Sequence, residues 1–165
     1  MAARTAEAAA ALETARSALA PYPVVYHAGF LHDAAKEYVE ARATSALVAG
    51  LAVPGPAELN VEPPAWLNGV AEAASELRRH ALDRLREGRL DIAEALLARM
   101  DGVFADLVAI DLPDAITGGL RRTLDALRAV IERTRGDITS AVLQHRLQQS
   151  LDRAIALSGE EATGR

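Results

Sequence analysis

Four glutamates stand in two short registers, Glu37 and Glu40 three residues apart in EYVE, and Glu72 and Glu76 four apart in EAASE. On a helix either spacing puts both side chains on nearly one side, about one turn apart. Glu37 adjoins Tyr38 and Glu76 adjoins Leu77, so each pair borders an apolar stripe rather than opposing it. If the two helices are neighbours, four carboxylates converge at the edge of a groove. Like charges so placed raise one another's proton affinity, and a hard divalent cation such as Mg²⁺ or Mn²⁺ offsets that repulsion by taking oxygen ligands. Such an ion polarises a phosphoryl oxygen and acidifies water, and a neighbouring carboxylate can accept a proton from the attacking group. Phosphodiester cleavage is the chemistry this set would support. A plainer alternative stands beside it. Acids at these spacings are common on solvated helix faces; Glu40 can pair with Lys36 and Glu76 with His80, each at a separation of four.

His80 shares the face of Glu72 and Glu76, either as a ligand or as a partly buried hydrogen-bonding histidine. Asp101, just before Gly102, faces the same cleft or is simply solvated. The chain has no cysteine, which excludes disulfides, thiolate nucleophiles and zinc–sulfur sites. Glycine-rich phosphate loops, HExxH and nucleophile elbows are absent.

The elements that must position these residues are helical. Half of the 165 residues are hydrophobic, but only 4% are aromatic, and alanine, leucine, arginine and glutamate favour helices. The spacing predicts a first helix over 4–19 with a thin stripe of alanine, Leu12 and Leu19. A second is expected over 28–48 with a spine of Leu31, Ala34, Tyr38, Ala41, Ser45 and Val48, stopped by Gly50. Pro54, Gly55 and Pro56 mark a connector. A third helix starts at Pro63 and Pro64 and runs to Glu87, with Gly88 as its stop and Trp66, Val70, Ala74, Leu77, Ala81 and Leu85 inward. A fourth covers 90–110 through Ile92, Leu96, Met100, Val103 and Leu107, with Gly102 permitting close packing. From Pro113 onward Leu120, Leu124, Leu127, Ile131, Thr134, Ile138, Ala141 and Val142 keep one face apolar, followed by Leu147 and Leu151. As one helix, 119–157 would be about 58 Å long. Either Gly136 and Asp137 break it, or its protruding part packs on another subunit, which is the expectation adopted. The chain reads as one all-α domain over 1–165, an antiparallel bundle with a long C-terminal helix, with 158–165 as a flexible tail. No apolar run is long enough to span a bilayer, and no basic stretch followed by an apolar run marks a signal peptide, so a cytoplasmic, membrane-free protein is expected.

The formal net charge is −5, yet Arg121, Arg122, Arg128, Arg133 and Arg135 cluster against only Asp125 and Glu132. These arginines either solvate a helix face or gather on a nucleic-acid surface.

Over KEYVEARATSALVAG, WLNGVAEAASELRRH, ARMDGVF, LPDAITGGLRRTLD and ERTRGDIT, spanning roughly residues 25–155 in order, the chain resembles the translin family, and within it the branch of translin-associated factor X and its prokaryotic relatives. The resemblance implies an all-helical subunit of a hollow, roughly octameric particle that binds single-stranded RNA or DNA. It also implies an Mg²⁺- or Mn²⁺-dependent endoribonuclease whose catalytic acids fall on Glu37, Glu40, Glu72 and Glu76, with Glu40 and Glu76 contacting the metal. A translin-like paralogue is an implied possible partner. Position 72 is glutamate where the factor X branch has aspartate, keeping the charge and adding a methylene. The first helix is shorter and poorer in basic residues than the family's, with only Arg4 and Arg16. Arg78, Arg79, Arg121 and Arg122 are candidates for phosphate contacts, since arginine's forked donors suit phosphate oxygens. A non-catalytic single-strand-binding oligomer and a helical scaffold with solvated acids are the competing readings.

Overall fold

The computed structural model describes the backbone of residues 2–163 and the side chains of 4–157. Its elements are α1 (Ala2–Leu19), α2 (Pro23–Tyr26), α3 (Phe30–Ala49), α4 (Pro56–Leu59), α5 (Pro63–Arg86), α6 (Leu90–Val108), α7 (Asp114–Thr117) and α8 (Leu120–Thr163). The five long helices follow the expected spans, the single-turn α4 lies in the segment read as a connector, and the single-turn α2 and α7 lie between long helices. Proline opens α5, where missing backbone donors cost nothing. Gly50 and Gly88 end α3 and α5 with φ of 71° and 72°, a left-handed conformation that glycine adopts at least cost. No helix among the described residues is long and apolar enough to cross a membrane.

Helix α5 is the hub. It packs against α3, α6 and α8, which explains why Ala65, Leu67, Gly69, Val70, Ala71, Ala73, Ala74, Leu77 and Ala81 are all buried. Buried Asn68 donates to Thr117 O at 2.8 Å and accepts from Thr123 Oγ1 at 2.7 Å. One amide therefore ties α5 to the start of α8. Arg99 of α6 donates to Leu47 O at 2.8 Å and to Val48 O at 3.2 Å, capping carbonyls of the last turn of α3.

The tightest seam is α3 against α5. A Cβ added at Gly69 would lie 2.7 Å from Lys36 O and 2.8 Å from Val39 Cβ, so only glycine lets the two backbones approach this closely. Opposite it, Ala35, Val39 and Ala43 are buried. The inward face of α3 is thus Leu31, Ala35, Tyr38, Val39, Ala43 and Leu47, whereas Ala34, Ala41, Ser45 and Val48 of the expected spine are exposed. Alanine makes both stripes of α3 similarly apolar, and the approach at Gly69 selects the one carrying Val39. Gly102 does not mediate close packing either, because nothing lies within 4 Å of a Cβ built there.

Helix α8 runs unbroken for 44 residues, about 66 Å at ~1.5 Å per residue. Gly136 and Asp137 do not interrupt it. Arg78 Nη2 lies 2.7 Å from Asp137 Oδ2, and Arg135 Nη2 lies 2.8 Å from Asp101 Oδ1, so this stretch is held from α5 and α6 at once. The buried line ends at Ile138. Beyond it Leu143, Leu147, Leu151 and Ile155, at a repeat of four, are each more than half exposed. The backbone of 158–163 continues the helix, and 164–165 lie outside the described residues.

Candidate metal centre

Close approach of α3 and α5 at Gly69 brings three carboxylates together. One oxygen each from Glu37, Glu40 and Glu72 lies within 4.8 Å of the others. Two ligands on opposite sides of an Mg²⁺ ion are about 4.2 Å apart, so small side-chain rotations would let the trio share one ion. Glu37 is exposed, while Glu40 and Glu72 are half-buried. The oxygens are therefore reachable from solvent yet backed by the packed seam.

The electrostatics centre on Glu40. Burial first, then the charges of Glu37, Glu72 and Glu76, hold its carboxyl above the usual carboxylate range, while Lys36 pulls it down. Lys36 does not take Glu40 as its partner, the i,i+4 alternative. Its Nζ reaches across the seam to Glu72 Oε1 at 2.9 Å. That hydrogen bond outweighs burial and raises the lysine's own proton affinity.

Glu76 is not a member of the close trio. Its Oε1 lies 3.4 Å from Nη1 of Arg79, not His80, and the Arg79 side chain is 73% exposed; such a surface pair holds a carboxylate weakly. Glu76 nevertheless shares a groove of about 1040 Å³ with Glu37, Glu40, Tyr38 and His80. The far wall of the groove is α1, which contributes Ala8, Ala11, Leu12 and Ala15. His80 lines the groove from α5 but is outside the trio. Asp101 faces α8 and is engaged by Arg135.

The four arginines expected at phosphates fall in two places. Arg78 donates to Thr134 Oγ1 at 3.2 Å as well as pairing with Asp137, which makes it a clamp between α5 and α8. Arg79 is exposed beside Glu76. Arg121 and Arg122 are exposed at the start of α8. They stand 12–16 residues before the positions that Arg78 grips, roughly 20 Å along the helix. Arg121 lines a separate groove with Phe104, Asp125 and Arg128, and Arg122 is turned about 100° around the helix from it. Residue types and spacing did not single out Gly69 or the Lys36–Glu72 pair. The visible signal was a glycine three residues before Glu72 in an otherwise alanine-rich run.

No family model matches the chain. It is 28% identical over 134 residues to an uncharacterized protein of Methanocaldococcus jannaschii, a match covering 80% of this chain and 60% of that protein. The chain thus spans less than two thirds of that curated relative. Among solved structures it is similar to the crystal structure of AfC3PO, with 38% identity, a TM-score of 0.72, and coverage of 81% of this chain and 69% of that one. It is also similar to AfC3PO in complex with duplex RNA, with 36% identity, a TM-score of 0.68, and coverage of 78% and 66%.

Proposed function

The chain belongs to the translin family, which it shares with AfC3PO, and on that premise we propose that it is a divalent-metal-dependent endoribonuclease acting on single-stranded RNA. The observation that carries this reading is the trio of Glu37, Glu40 and Glu72, three oxygens within 4.8 Å of one another at the edge of an open groove. RNA is the favoured polymer because AfC3PO has been solved with duplex RNA. A single strand is favoured over a duplex because its flexible backbone can bend one phosphate into the recess. Single-stranded DNA is a secondary substrate of the same shape.

An Mg²⁺ or Mn²⁺ ion held there would neutralise phosphoryl charge and lower the pKa of the attacking water. Glu40, with Glu37 and Glu72, supplies its oxygens. Glu76, freed from exposed Arg79, adds a fourth carboxylate from one turn further along α5. It is the member that the family resemblance pairs with Glu40. Whichever of the four carboxylates is left off the ion would accept the proton of the attacking group. Arg79 and Arg122, both exposed, are proposed to steer the strand by its phosphates, and Arg78 and Arg121 to flank them. The exposed stripe Leu143, Leu147, Leu151 and Ile155 is proposed to pack on another copy, building an octamer or related particle, alone or with a translin-like paralogue. A cytoplasmic location belongs to the same proposal.

One observation favours a non-catalytic RNA-binding oligomer instead: Lys36 already neutralises Glu72. Cleavage of a single-stranded RNA with Mg²⁺ or Mn²⁺ separates the two readings. Glu40→Gln and Glu76→Ala are expected to lower turnover by about 100-fold or more while leaving RNA retention intact. Equal cleavage by wild type and both variants, or binding by all three without any cleavage, would rule the nuclease out.

A further inference from the structure

The Lys36 ammonium occupies an oxygen of the same carboxylate that the trio offers to a metal. Its Nζ lies 2.9 Å from Glu72 Oε1, and both side chains are mostly shielded, at 22% and 33% exposure. The placement is built into the fold. Lys36 sits where α3 touches α5, with its carbonyl oxygen 2.7 Å from where a Cβ on Gly69 would be. Its stem therefore starts from a backbone pinned against α5 one turn before Glu72, and the ammonium has little room to withdraw while remaining half-buried. A divalent ion shared by Glu37, Glu40 and Glu72 would meet this positive charge at close range. Two cations that close repel strongly in a partly shielded site.

We infer that Lys36 is the exchangeable counter-cation of the metal centre, competing with the divalent ion for Glu72 and leaving it when a substrate phosphate offers the ammonium a new partner. Lys36 is then a positioning residue, not a ligand. Without RNA it holds ion affinity down. With RNA bound its charge moves to a phosphate oxygen, and the ion binds more tightly. By linkage the ion must tighten RNA binding by the same factor.

The inference rests on the metal-centre reading, and the test separates the two. Mn²⁺ affinity is measured by electron paramagnetic resonance on the full-length protein, with and without a non-cleavable single-stranded RNA analogue. The proteins compared are wild type, Lys36→Met, Lys36→Gln and Lys36→Arg, with Glu40→Gln as the ligand control. Without RNA, Lys36→Met and Lys36→Gln are expected to bind Mn²⁺ at least about tenfold more tightly than wild type, while Lys36→Arg stays near wild type. With RNA, wild type and Lys36→Arg tighten, and the two neutral variants do not. Met and Gln keep the length of the stem, so one well-folded neutral variant suffices, with circular dichroism as the check. If wild type binds Mn²⁺ and the neutral variants bind it equally or more weakly, Lys36 does not compete, and the inference falls while the metal centre stands. If wild type binds no Mn²⁺ at this site, both fall together.

Discussion

Helix α3 presents two apolar faces that meet different fates. Against α5 it is closed: Ala35, Val39 and Ala43 are buried, and backbone contact at Gly69 leaves no room for even a methyl group. Against α1 it is open: Ala34, Ala41, Ser45 and Val48 line a groove of about 1040 Å³ whose other wall is largely alanine. Composition does not separate these faces, since both are small and apolar. The difference lies in what each partner helix contributes. A glycine in the middle of α5 draws one seam shut, whereas α1, with Leu12 as its one buried leucine, cannot close the other. Glu37 and Glu40 stand on the border between the two faces. The closed seam fixes their distance from Glu72, and the open groove gives a substrate access to them.

If the closed seam sets the separation of the acids, disturbing it has the largest effect. Gly69→Ala forces a methyl group onto a backbone carbonyl, which cannot swing aside, and is expected to destabilise the protein by about 1–3 kcal/mol in thermal or denaturant unfolding. It should also weaken Mn²⁺ binding, because α3 must back away from Glu72. Gly102→Ala is the mirror experiment. With open space around that position, the substitution should stabilise by roughly 0.5–1 kcal/mol through helix propensity alone. If both substitutions shift stability in the same direction, the contrast between closed and open surfaces is wrong.

A smaller effect comes from Glu40 itself. Its folded-state pKa lies above its ordinary value, chiefly through burial. The stability tied to its protonated form is therefore fully present below the ordinary carboxylate range and is lost as pH rises through the folded value. In metal-free protein at neutral pH, Glu40→Gln should raise the melting temperature by no more than a few degrees, since the group is only partly shielded. The difference should vanish as the pH is lowered to about 4, and Mn²⁺ should stabilise wild type more than the variant. Smallest in its effect on subunit stability is Leu147→Glu on the exposed end of α8. It should change unfolding by less than about 0.5 kcal/mol while reducing the particle mass seen by light scattering.

The contrast between the two seams also marks where sequence reasoning works. Helix spans were legible because their signals are local, with Pro63 opening α5 and Gly50 and Gly88 closing α3 and α5. The pairing of Glu37 with Glu40, or of Glu72 with Glu76, follows from helical pitch within a single element. Which stripe of α3 turns inward was not legible, because Ala34 and Ala35 are equally apolar and the choice is made by Gly69 on another helix. Gly102 and Gly69 look alike in sequence and differ only in what faces them. For the same reason the partner of Lys36 was not legible. Glu40 is nearer along the helix, but Glu72 is nearer across the seam. The long span of α8 was visible as an uninterrupted stripe. The ion pairs that hold it around Gly136, Arg78 with Asp137 and Arg135 with Asp101, are tertiary and were not visible.

Whether Glu37, Glu40 and Glu72 grip a single divalent ion is tested most directly by crystals soaked in Mn²⁺ and examined by anomalous scattering. One strong peak is expected within about 2.5 Å of an oxygen from each of the three, with the Lys36 ammonium displaced from Glu72 Oε1. A peak elsewhere, or none at saturating Mn²⁺ with Lys36 still bonded to Glu72, would contradict it.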